Sequence, residues 1–389
     1  MKRKCLAPFL AACMLLSACG GTPAAEPPTG VYYEITGVDP AETVLVLDGN
    51  EIPAELYCYW VAFNCSAVEY QVKMYHDRYG MYEELFREDG TIDWNANFPN
   101  SDLTLNEYAE NMVKETVFFY AAIENLAEKY GVKLSEKDKV DIEEELQSME
   151  ESLGGPEAFE QYLQETGLSL DNLQRVMAAT NLLDGLTGLV DQPDSELYLP
   201  QEDYGKYLYY TDYIALSLTD DMSETEKTEV RSTAQELLTQ LEKAEDQETL
   251  FSELAKEHSQ ESSQSEGQRG YFYAPGVMPE VFEAAAQTLS PGELSGLIES
   301  EHAIYILLGK DLEQGLSAYP EQKEALFQSH VIDLLNAYQD EMKVERRGDL
   351  TDMVMGDFYE KYLEKMEQIA VEDTVDTLQK AQESAAPQK

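Results

Sequence analysis

The cysteine side chains are the most reactive groups in this chain, and they fall into two sets. Cys5, Cys13 and Cys19 lie in the N-terminal segment, whereas only Cys58 and Cys65 lie in the body of the chain. The body pair is seven residues apart on a predicted helix, which separates it by about 10.5 Å along the axis. A disulfide needs Cα atoms within about 7 Å of each other. We therefore expect two free thiols in an apolar core, no disulfide framework, no metal centre and no cofactor.

An apolar pair is the other candidate for a binding function. Met278 and Phe282 are four residues apart on a predicted helix, so they share one face of it. Such a face can hold an apolar group of a ligand. The same spacing is also common in ordinary core packing, so the pair alone leaves both interpretations open.

The N-terminal segment has the pattern of a secretory signal. Three basic residues at 2–4 precede an apolar run over 6–16, which is shorter than the roughly 20 residues that span a bilayer. The sequence Leu-Ser-Ala-Cys that ends at Cys19 resembles the lipobox of bacterial lipoproteins. This predicts a signal peptide over 1–18, then a lipidated Cys19 and a flexible tether over 19–43, on the extracytoplasmic face of the cell membrane. The alternative is an ordinary signal peptide with an incidental cysteine.

The charge balance excludes one class of partner. The chain has 27 Lys and Arg against 76 Asp and Glu, a formal net charge of −49. Loss of a signal carrying three positive charges would bring the mature chain to −52. Such a chain repels nucleic acid, whose backbone is also anionic. Because no loop alternates Asp and Asn around a central Gly, we expect a soluble, self-repelling surface rather than a calcium site.

The period of the apolar residues divides the body of the chain into three parts. Residues 44–202 begin with a strand, a tight turn and a return strand, and are otherwise almost entirely helical. Residues 203–311 show the order strand, two helices, strand, helix, strand, strand, which is typical of a compact α/β domain. Residues 312–370 return to helical periodicity, which is continuous from Tyr319 onward. The polar residues 371–389 are predicted to be a disordered tail.

Helix ends are marked by their own residue types. The pattern predicts an amphipathic helix from Leu105 to Tyr130 that ends at Gly131, since glycine adopts the left-handed conformation favoured after a helix. Ser135 with Asp138 three residues later predicts the start of the next helix. The predicted fold class is therefore α+β, a mostly helical domain formed by the N- and C-terminal parts with an inserted α/β domain.

Four blocks in the central part resemble one known family. They lie in the segments 250–259 (LFSELAKEHS), 267–272 (GQRGYF), 278–285 (MPEVFEAA) and 289–295 (LSPGELS). In order and spacing they are similar to blocks of the PrsA-like extracytoplasmic foldase lipoproteins, which carry a parvulin domain and are related to SurA. The resemblance implies a parvulin-like prolyl isomerase domain inserted into a helical chaperone domain that holds unfolded secreted chains.

The resemblance also implies a site for a prolyl ring. Phe272, Met278 and Phe282 match the apolar pocket of the family, and Arg269 replaces one of its apolar residues. The peptide bond before proline crosses a barrier of about 18–20 kcal/mol without any bond being broken. A catalyst therefore needs only to hold the ring and favour the twisted amide.

The polar part of the site departs from the family pattern. Active parvulins usually carry one His on the first strand and another on the last, and here these positions are Tyr213 and Tyr305. The third polar position, Asp or Cys in relatives, is Glu261. His302 is three residues from Tyr305 on a strand, so it should face the other way. Because tyrosine hydroxyls still donate and accept hydrogen bonds, activity is left open.

Three functions follow as hypotheses. The first is a membrane-anchored foldase that binds unfolded or nascent exported polypeptides and whose isomerase site is altered. The second is an active isomerase in which Tyr213, Glu261 and Tyr305 replace the usual polar residues. The third is a solute-binding lipoprotein, which predicts two similar α/β lobes instead of one. The sequence leaves a homodimer open.

Overall fold

The computed structural model describes residues 28–259 and 270–385, with side chains described as far as residue 371. Its fold class is α+β, as predicted from the sequence. The helices are α1 Val31–Thr36, α2 Ala54–Tyr79, α3 Leu105–Tyr130, α4 Glu136–Leu153, α5 Pro156–Thr166, α6 Leu170–Thr187, α7 Glu224–Lys243, α8 Gln247–His258, α9 Glu280–Ala286, α10 Leu312–Ala318, α11 Pro320–Glu341 and α12 Met355–Ala385. The strands are β1 Thr43–Leu47, β2 Asn50–Pro53, β3 Tyr209–Ser217, β4 Tyr271–Tyr273, β5 Ile298–Glu299, β6 Ala303–Gly309 and β7 Val344–Arg346.

The N- and C-terminal parts of the chain form one body, which we call the helical body. Its core contains buried side chains of β1, α2, α3 and α6, and also of α10, α11 and α12. Leu47, Val61, Leu105 and Leu186 from the first part, for example, share this core with Leu335 from the second. The burial of one apolar face per helix is the main source of stability in such a body. The predicted helical domain made from both ends of the chain is therefore confirmed.

A small sheet in the helical body corrects one prediction. The hairpin β1–β2 turns at Asp48 and Gly49, both at positive φ (52° and 92°), as a tight turn of this kind requires. On its other side β1 pairs with β7, in the sheet order β2–β1–β7. The prediction of continuous helix from Tyr319 to Ala370 is therefore wrong. Three strand residues are too few to show a period of two against the helical pattern around them.

The predicted helix ends agree with the structure. Helix α3 runs from Leu105 to Tyr130, and the side chain of Thr104 accepts a hydrogen bond from the backbone N–H of Glu107. Gly131 follows at φ 72°. Ser135 and Asp138 form the predicted reciprocal pair of hydrogen bonds at the start of α4.

The C-terminal residues correct another prediction. A disordered tail was predicted from residue 371, but the backbone of α12 continues as a helix to Ala385. The last part of this helix, 378–385 (LQKAQESA), consists almost entirely of good helix formers.

A buried carboxylate joins the start of α2 to the start of α6. Glu55 is 7% exposed and accepts hydrogen bonds from the backbone N–H of Ser169 (2.9 Å), the Ser169 hydroxyl (2.7 Å) and the Asn172 amide. These bonds satisfy groups at the N-terminus of α6 that have no partner within the helix.

Replacing Glu55 with alanine should therefore lower the free energy of unfolding by about 1–3 kcal/mol, since three partly buried donors would lose their acceptor. Urea unfolding followed by circular dichroism would measure it. Glu51→Ala is the matched control, because Glu51 is an exposed partner of Arg347 and should cost less than about 1 kcal/mol. Equal effects of the two variants would contradict this role of Glu55.

The remaining elements form the central module, which consists of β3, α7, α8, β4, α9, β5 and β6. Its strands form an antiparallel sheet in the order β4–β3–β6–β5. Helices α7 and α8 cover one face, with Leu241 and Phe251 packed against Ile214 and Ile306 of the sheet. Helix α9 lies on the other face. The segment before β6 pairs with it only briefly, through a bridge from Leu294 to Leu308 and through the short strand β5.

The described helices include none that is both long enough and apolar enough to cross a membrane. The predicted signal, lipidated Cys19 and the first nine residues of the tether, 19–27, lie outside the described residues. The rest of the predicted tether corrects the prediction, because residues 31–36 form α1 and Tyr32 is buried in the core of the helical body. Cys58 and Cys65 are buried free thiols, as predicted. Burial raises the pKa of both thiols, so neither is a reactive nucleophile.

Candidate active site

The register of the central sheet brings together Tyr213 and Tyr305, the two tyrosines predicted to occupy the histidine positions of the family. Strands β3 and β6 pair with Ala215 opposite Tyr305 and Tyr213 opposite Leu307. Because side chains two residues apart point to the same face of a strand, Tyr213 and Tyr305 are diagonal neighbours on the face that α9 covers. Their ring centroids are 6.3 Å apart.

Phe282 fills the space between these tyrosines. Its ring contacts Tyr213 at 5.5 Å, Tyr273 at 5.5 Å and Tyr305 at 5.0 Å between centroids, each edge to face. This geometry is favourable for aromatic pairs. We call the group the aromatic cluster, and its members are Tyr209, Tyr213, Tyr271, Tyr273, Phe282 and Tyr305.

The centre of the aromatic cluster is closed. Phe282 is 0% exposed and Tyr213 is 1% exposed, while Tyr209, Tyr271 and Met278 at the edge are half-buried. A ligand that reaches this face therefore meets the edge residues first. The chemistry that the cluster offers is apolar and aromatic contact.

Met278 is held at the edge of the cluster by a short loop. The Glu283 carboxylate accepts hydrogen bonds from the backbone N–H of Gly276 (2.7 Å) and of Met278 (3.1 Å). The structure thus brings Met278 and Phe282 into one apolar group, and a role in binding a prolyl ring stays a prediction for both.

Phe272 does not join this group. Tyr271 and Tyr273, its neighbours on β4, point to the aromatic cluster, so Phe272 points to the opposite face. There its ring stacks on Tyr210 and packs against the helical body. The prediction that placed Phe272 in one pocket with Met278 and Phe282 is therefore wrong. Tyr271 and Tyr273, which sequence reasoning missed, take its place, and the alternation of YFY with a strand period was the signal that could have identified them.

Two buried side-chain hydroxyls on the face of the sheet that α9 covers have no hydrogen-bond partner of normal geometry. They belong to Thr211 and Tyr273, which are each 3% exposed. Burial raises the pKa of Tyr273 well above that of a free tyrosine. The Tyr273 phenol therefore stays protonated at neutral pH and can act as a hydrogen-bond donor, but not as a base.

A buried ion pair stands behind Tyr213 on the other face of β3. Lys310 contacts Asp212 at 3.0 Å and Glu248 at 2.8 Å, and its side chain and that of Asp212 are 13% and 6% exposed. Asp212 also accepts a hydrogen bond from the backbone N–H of Gly270. Burial alone lowers the pKa of Lys310, but the hydrogen bond to Glu248 and the charge of Asp212 outweigh it, so the pKa is raised. The pair fixes the start of β4 beside β3.

Other predicted site residues lie elsewhere. Glu261 and Arg269 fall outside the described residues. His302 has a side chain that is 72% exposed at the β5–β6 turn, away from the aromatic cluster. Within the part of the chain that the structure describes, no three His, Cys, Asp or Glu side chains are placed to hold a metal ion.

A second group of aromatic side chains lies on the helical body. Tyr59 and Phe63 of α2 stack with their ring centroids 6.4 Å apart. Trp60 contacts both rings, and the centroid of Tyr120 on α3 lies 4.3 Å from that of Trp60. Phe63 is 54% exposed. Tyr162 and Tyr362 lie close enough to influence the pKa of Tyr59, which burial raises. We call Tyr59, Phe63, Tyr120, Tyr162 and Tyr362 the aromatic patch.

Comparison with known proteins identifies the class of the central module. Residues 214–311 match the rotamase family, described as the PPIC-type PPIASE domain. The module, with its four-stranded sheet and the cluster beneath α9, is therefore a parvulin-type domain.

The rest of the chain has relatives as well. Over 247 residues it is 26% identical to foldase protein PrsA from Staphylococcus aureus (strain bovine RF122), an alignment that covers 62% of this chain and 74% of that protein. The chain is thus similar to PrsA over these residues and contains a parvulin-type domain. Among solved structures it is similar to peptidylprolyl isomerase (PrsA) from Bacillus cereus, at 18% identity and a TM-score of 0.30 over 70% of this chain and 98% of that one. Foldase protein PrsA from Streptococcus pneumoniae gives 15% identity and a TM-score of 0.26 over 67% and 98%.

Proposed function

We propose that this chain is a membrane-anchored extracytoplasmic foldase whose main activity is to bind unfolded exported polypeptides, and whose parvulin-type domain has lost efficient isomerase activity. The observation that carries the second half is the closed aromatic cluster, in which Tyr213 and Tyr305 pack on a fully buried Phe282. The first half is supported by the relative from Staphylococcus aureus, which is named a foldase.

Loss of isomerase activity follows from the shape and chemistry of the site. A prolyl ring needs an apolar hollow, and a twisted amide needs polar groups that stabilise it. In the aromatic cluster the protein's own rings fill the hollow. The two positions that carry histidine in the family carry tyrosines, which are large and occupied in aromatic contacts. For a ring to enter, several packed side chains would have to move together, which costs free energy.

The proposal is tested by measuring two activities side by side. On a short X-Pro peptide, we expect the cis/trans exchange measured by NMR to be no faster than without protein. Uncatalysed exchange takes tens to hundreds of seconds. In the same preparation, we expect suppression of aggregation of an unfolded client. A variant lacking 205–311 should keep most of this suppression. Acceleration of X-Pro exchange by the wild type would instead support the active isomerase that uses Tyr213, Glu261 and Tyr305.

The aromatic patch is the surface that we assign to client binding. Tyrosine and phenylalanine give large, sequence-tolerant contacts at little cost in conformational entropy, and Phe63 presents most of its ring to solvent. The patch contains residues of α2, α3, α5 and α12, so it exists only when both ends of the chain are folded together. The acidic surface around it would favour basic client segments and keep the protein soluble.

We expect Phe63→Ser to weaken client binding about 5- to 30-fold, because it removes roughly 1–2 kcal/mol of apolar contact. Stability should change little, since the side chain is exposed. Fluorescence anisotropy of a labelled unfolded client gives the dissociation constant. Val140→Ser is the matched control, as Val140 is 49% exposed on α4 away from the patch. If both variants bind like the wild type, the patch is not the client site.

The membrane anchor rests on the N-terminal sequence alone. A basic start, a short apolar run and Leu-Ser-Ala before Cys19 support lipidation of that cysteine. Several acyl chains on one residue would hold the protein stably, at about 0.8 kcal/mol per buried CH₂. In the proposed arrangement, the tether is the segment between Cys19 and α1, 31–202 and 312–370 form the chaperone domain, and 203–311 is the inserted domain.

A further inference from the structure

The central module touches the helical body through a compact set of aromatic rings. Tyr210 of β3 and Phe272 of β4 stack with centroids 4.2 Å apart and planes inclined by 17°. Tyr319, between α10 and α11, packs edge-on against Phe272 at 5.8 Å. We call Tyr210, Phe272, Tyr319 and Gly315 the aromatic joint.

Glycine is required where α10 crosses this stack. A Cβ atom at Gly315 would lie 2.7 Å from Cε1 of Tyr210 and 3.0 Å from Cζ of Phe272. Both distances are shorter than ordinary contacts between such atoms. Gly270, at φ 83°, approaches the Tyr210 ring in the same way from the β4 side. The ring of Tyr210 is thus enclosed by two glycines and stacked on a third residue.

The two chain crossings between module and body involve consecutive helices, α10 and α11, which pack against each other. The segment that enters the module is fixed by a hydrogen bond of 2.9 Å between the Tyr207 hydroxyl and Nδ1 of His330 on α11. The segment that leaves the module is α10 itself, and its Leu316 is buried in the core of the helical body. The aromatic joint and both connecting segments therefore lie at the same part of the helical body, beside α10 and α11.

We propose that the aromatic joint locks the central module and the helical body into one rigid unit, so that the aromatic cluster and the aromatic patch keep a fixed relative position. Domains joined by short crossings and a small interface move relative to each other unless something prevents it. Close packing around Tyr210 supplies that constraint, because a rotation of the module would drive the Tyr210 ring into the backbone of α10 at Gly315. This proposal does not depend on the proposed function.

The test measures the distance between spin labels in the two parts of the full-length protein. Labels are attached at Glu144→Cys on α4 and Ser232→Cys on α7, both exposed positions. The native Cys58 and Cys65 are buried and should not react, and Cys5, Cys13 and Cys19 are replaced by serine so that they take up no label. With the joint intact we expect one narrow distance distribution. Gly315→Val should roughly double its width by forcing the stack apart, while the circular dichroism stays that of a folded chain.

Two further variants make the result decisive. Gly296→Val is the matched control, because a side chain there meets nothing within 4 Å and the residue lies away from the joint; its distribution should stay narrow. Phe272→Ala removes the stacked ring without adding bulk, so it should broaden the distribution even if Gly315→Val does not fold. A narrow distribution in folded Phe272→Ala protein, or a broad one with the joint intact, would overturn the proposal.

Discussion

Replacing Phe282 with alanine should lower the free energy of unfolding by about 3–5 kcal/mol, the range found when a fully buried phenylalanine is truncated. The ring is 0% exposed and contacts three tyrosines. Its removal leaves a cavity that those rings can fill only by leaving their preferred positions. Denaturant unfolding monitored by tyrosine fluorescence would report the loss, since the cluster itself contains the fluorophores.

The neighbouring residue provides the control for this prediction. Val281 is on the same helix but 46% exposed, so Val281→Ala should change the free energy of unfolding by less than about 0.5 kcal/mol. If Phe282→Ala unfolds at the same denaturant concentration as Val281→Ala, then the aromatic cluster is not the packed core that the structure shows. In that case the aromatic cluster would be open enough to admit a prolyl ring.

Replacing Lys310 with methionine should be equally damaging, at about 3–5 kcal/mol, because it leaves the buried Asp212 without its counter-ion. Lys323→Met is the matched control, since Lys323 forms a partly exposed pair with Asp191 and should cost at most about 1 kcal/mol. Adding Asp212→Asn to Lys310→Met should recover part of the loss, because no unpaired charge then remains and the amide oxygen still accepts from Gly270. A double variant no more stable than Lys310→Met would contradict the role of the charge.

The same pair predicts a dependence on alkaline pH. The pKa of Lys310 is raised in the folded chain, so the folded state holds this proton more tightly than the unfolded state does. The resulting stability is complete below the ordinary lysine pKa of about 10.4 and is lost as the pH rises through the folded value. Above this pH, the free energy of unfolding of the wild type should therefore fall more steeply with rising pH than that of Lys310→Met.

Most of the fold could be predicted because its signals are local. The helix from Leu105 to Tyr130, the turn at Asp48 and the strand from Tyr209 each depend on residues within a few positions of one another. The order of elements in the central module and the division into an interrupted helical body follow from the same periodicities. What local patterns cannot give is pairing between distant segments, and this is why β7 was missed.

The candidate site was predicted less completely, for two physical reasons. Strand side chains alternate between faces, so an error of one residue moves a ring to the wrong side of the sheet. Phe272 is such a case, and its place is taken by Tyr271 and Tyr273. Exposure is also set by which helices pack together, so Phe63 could not be recognised as a surface residue from its helical spacing. Four predicted site residues do lie together in the structure, because the strand register places the residues that the motifs identified on one face. These are Met278, Phe282, Tyr213 and Tyr305.

The pairing of β1 with β7 has a consequence for when the protein can mature. Asp48 and Lys343, which exchange hydrogen bonds at the end of this ladder, are 295 residues apart in the chain. During synthesis the contacts inside the central module become available once residue 309 has been made, whereas β1 must wait until β7, residues 344–346, has been made. A protein that stalls or is cut before residue 344 would therefore present an open strand edge near its N-terminus, a surface prone to association with other chains.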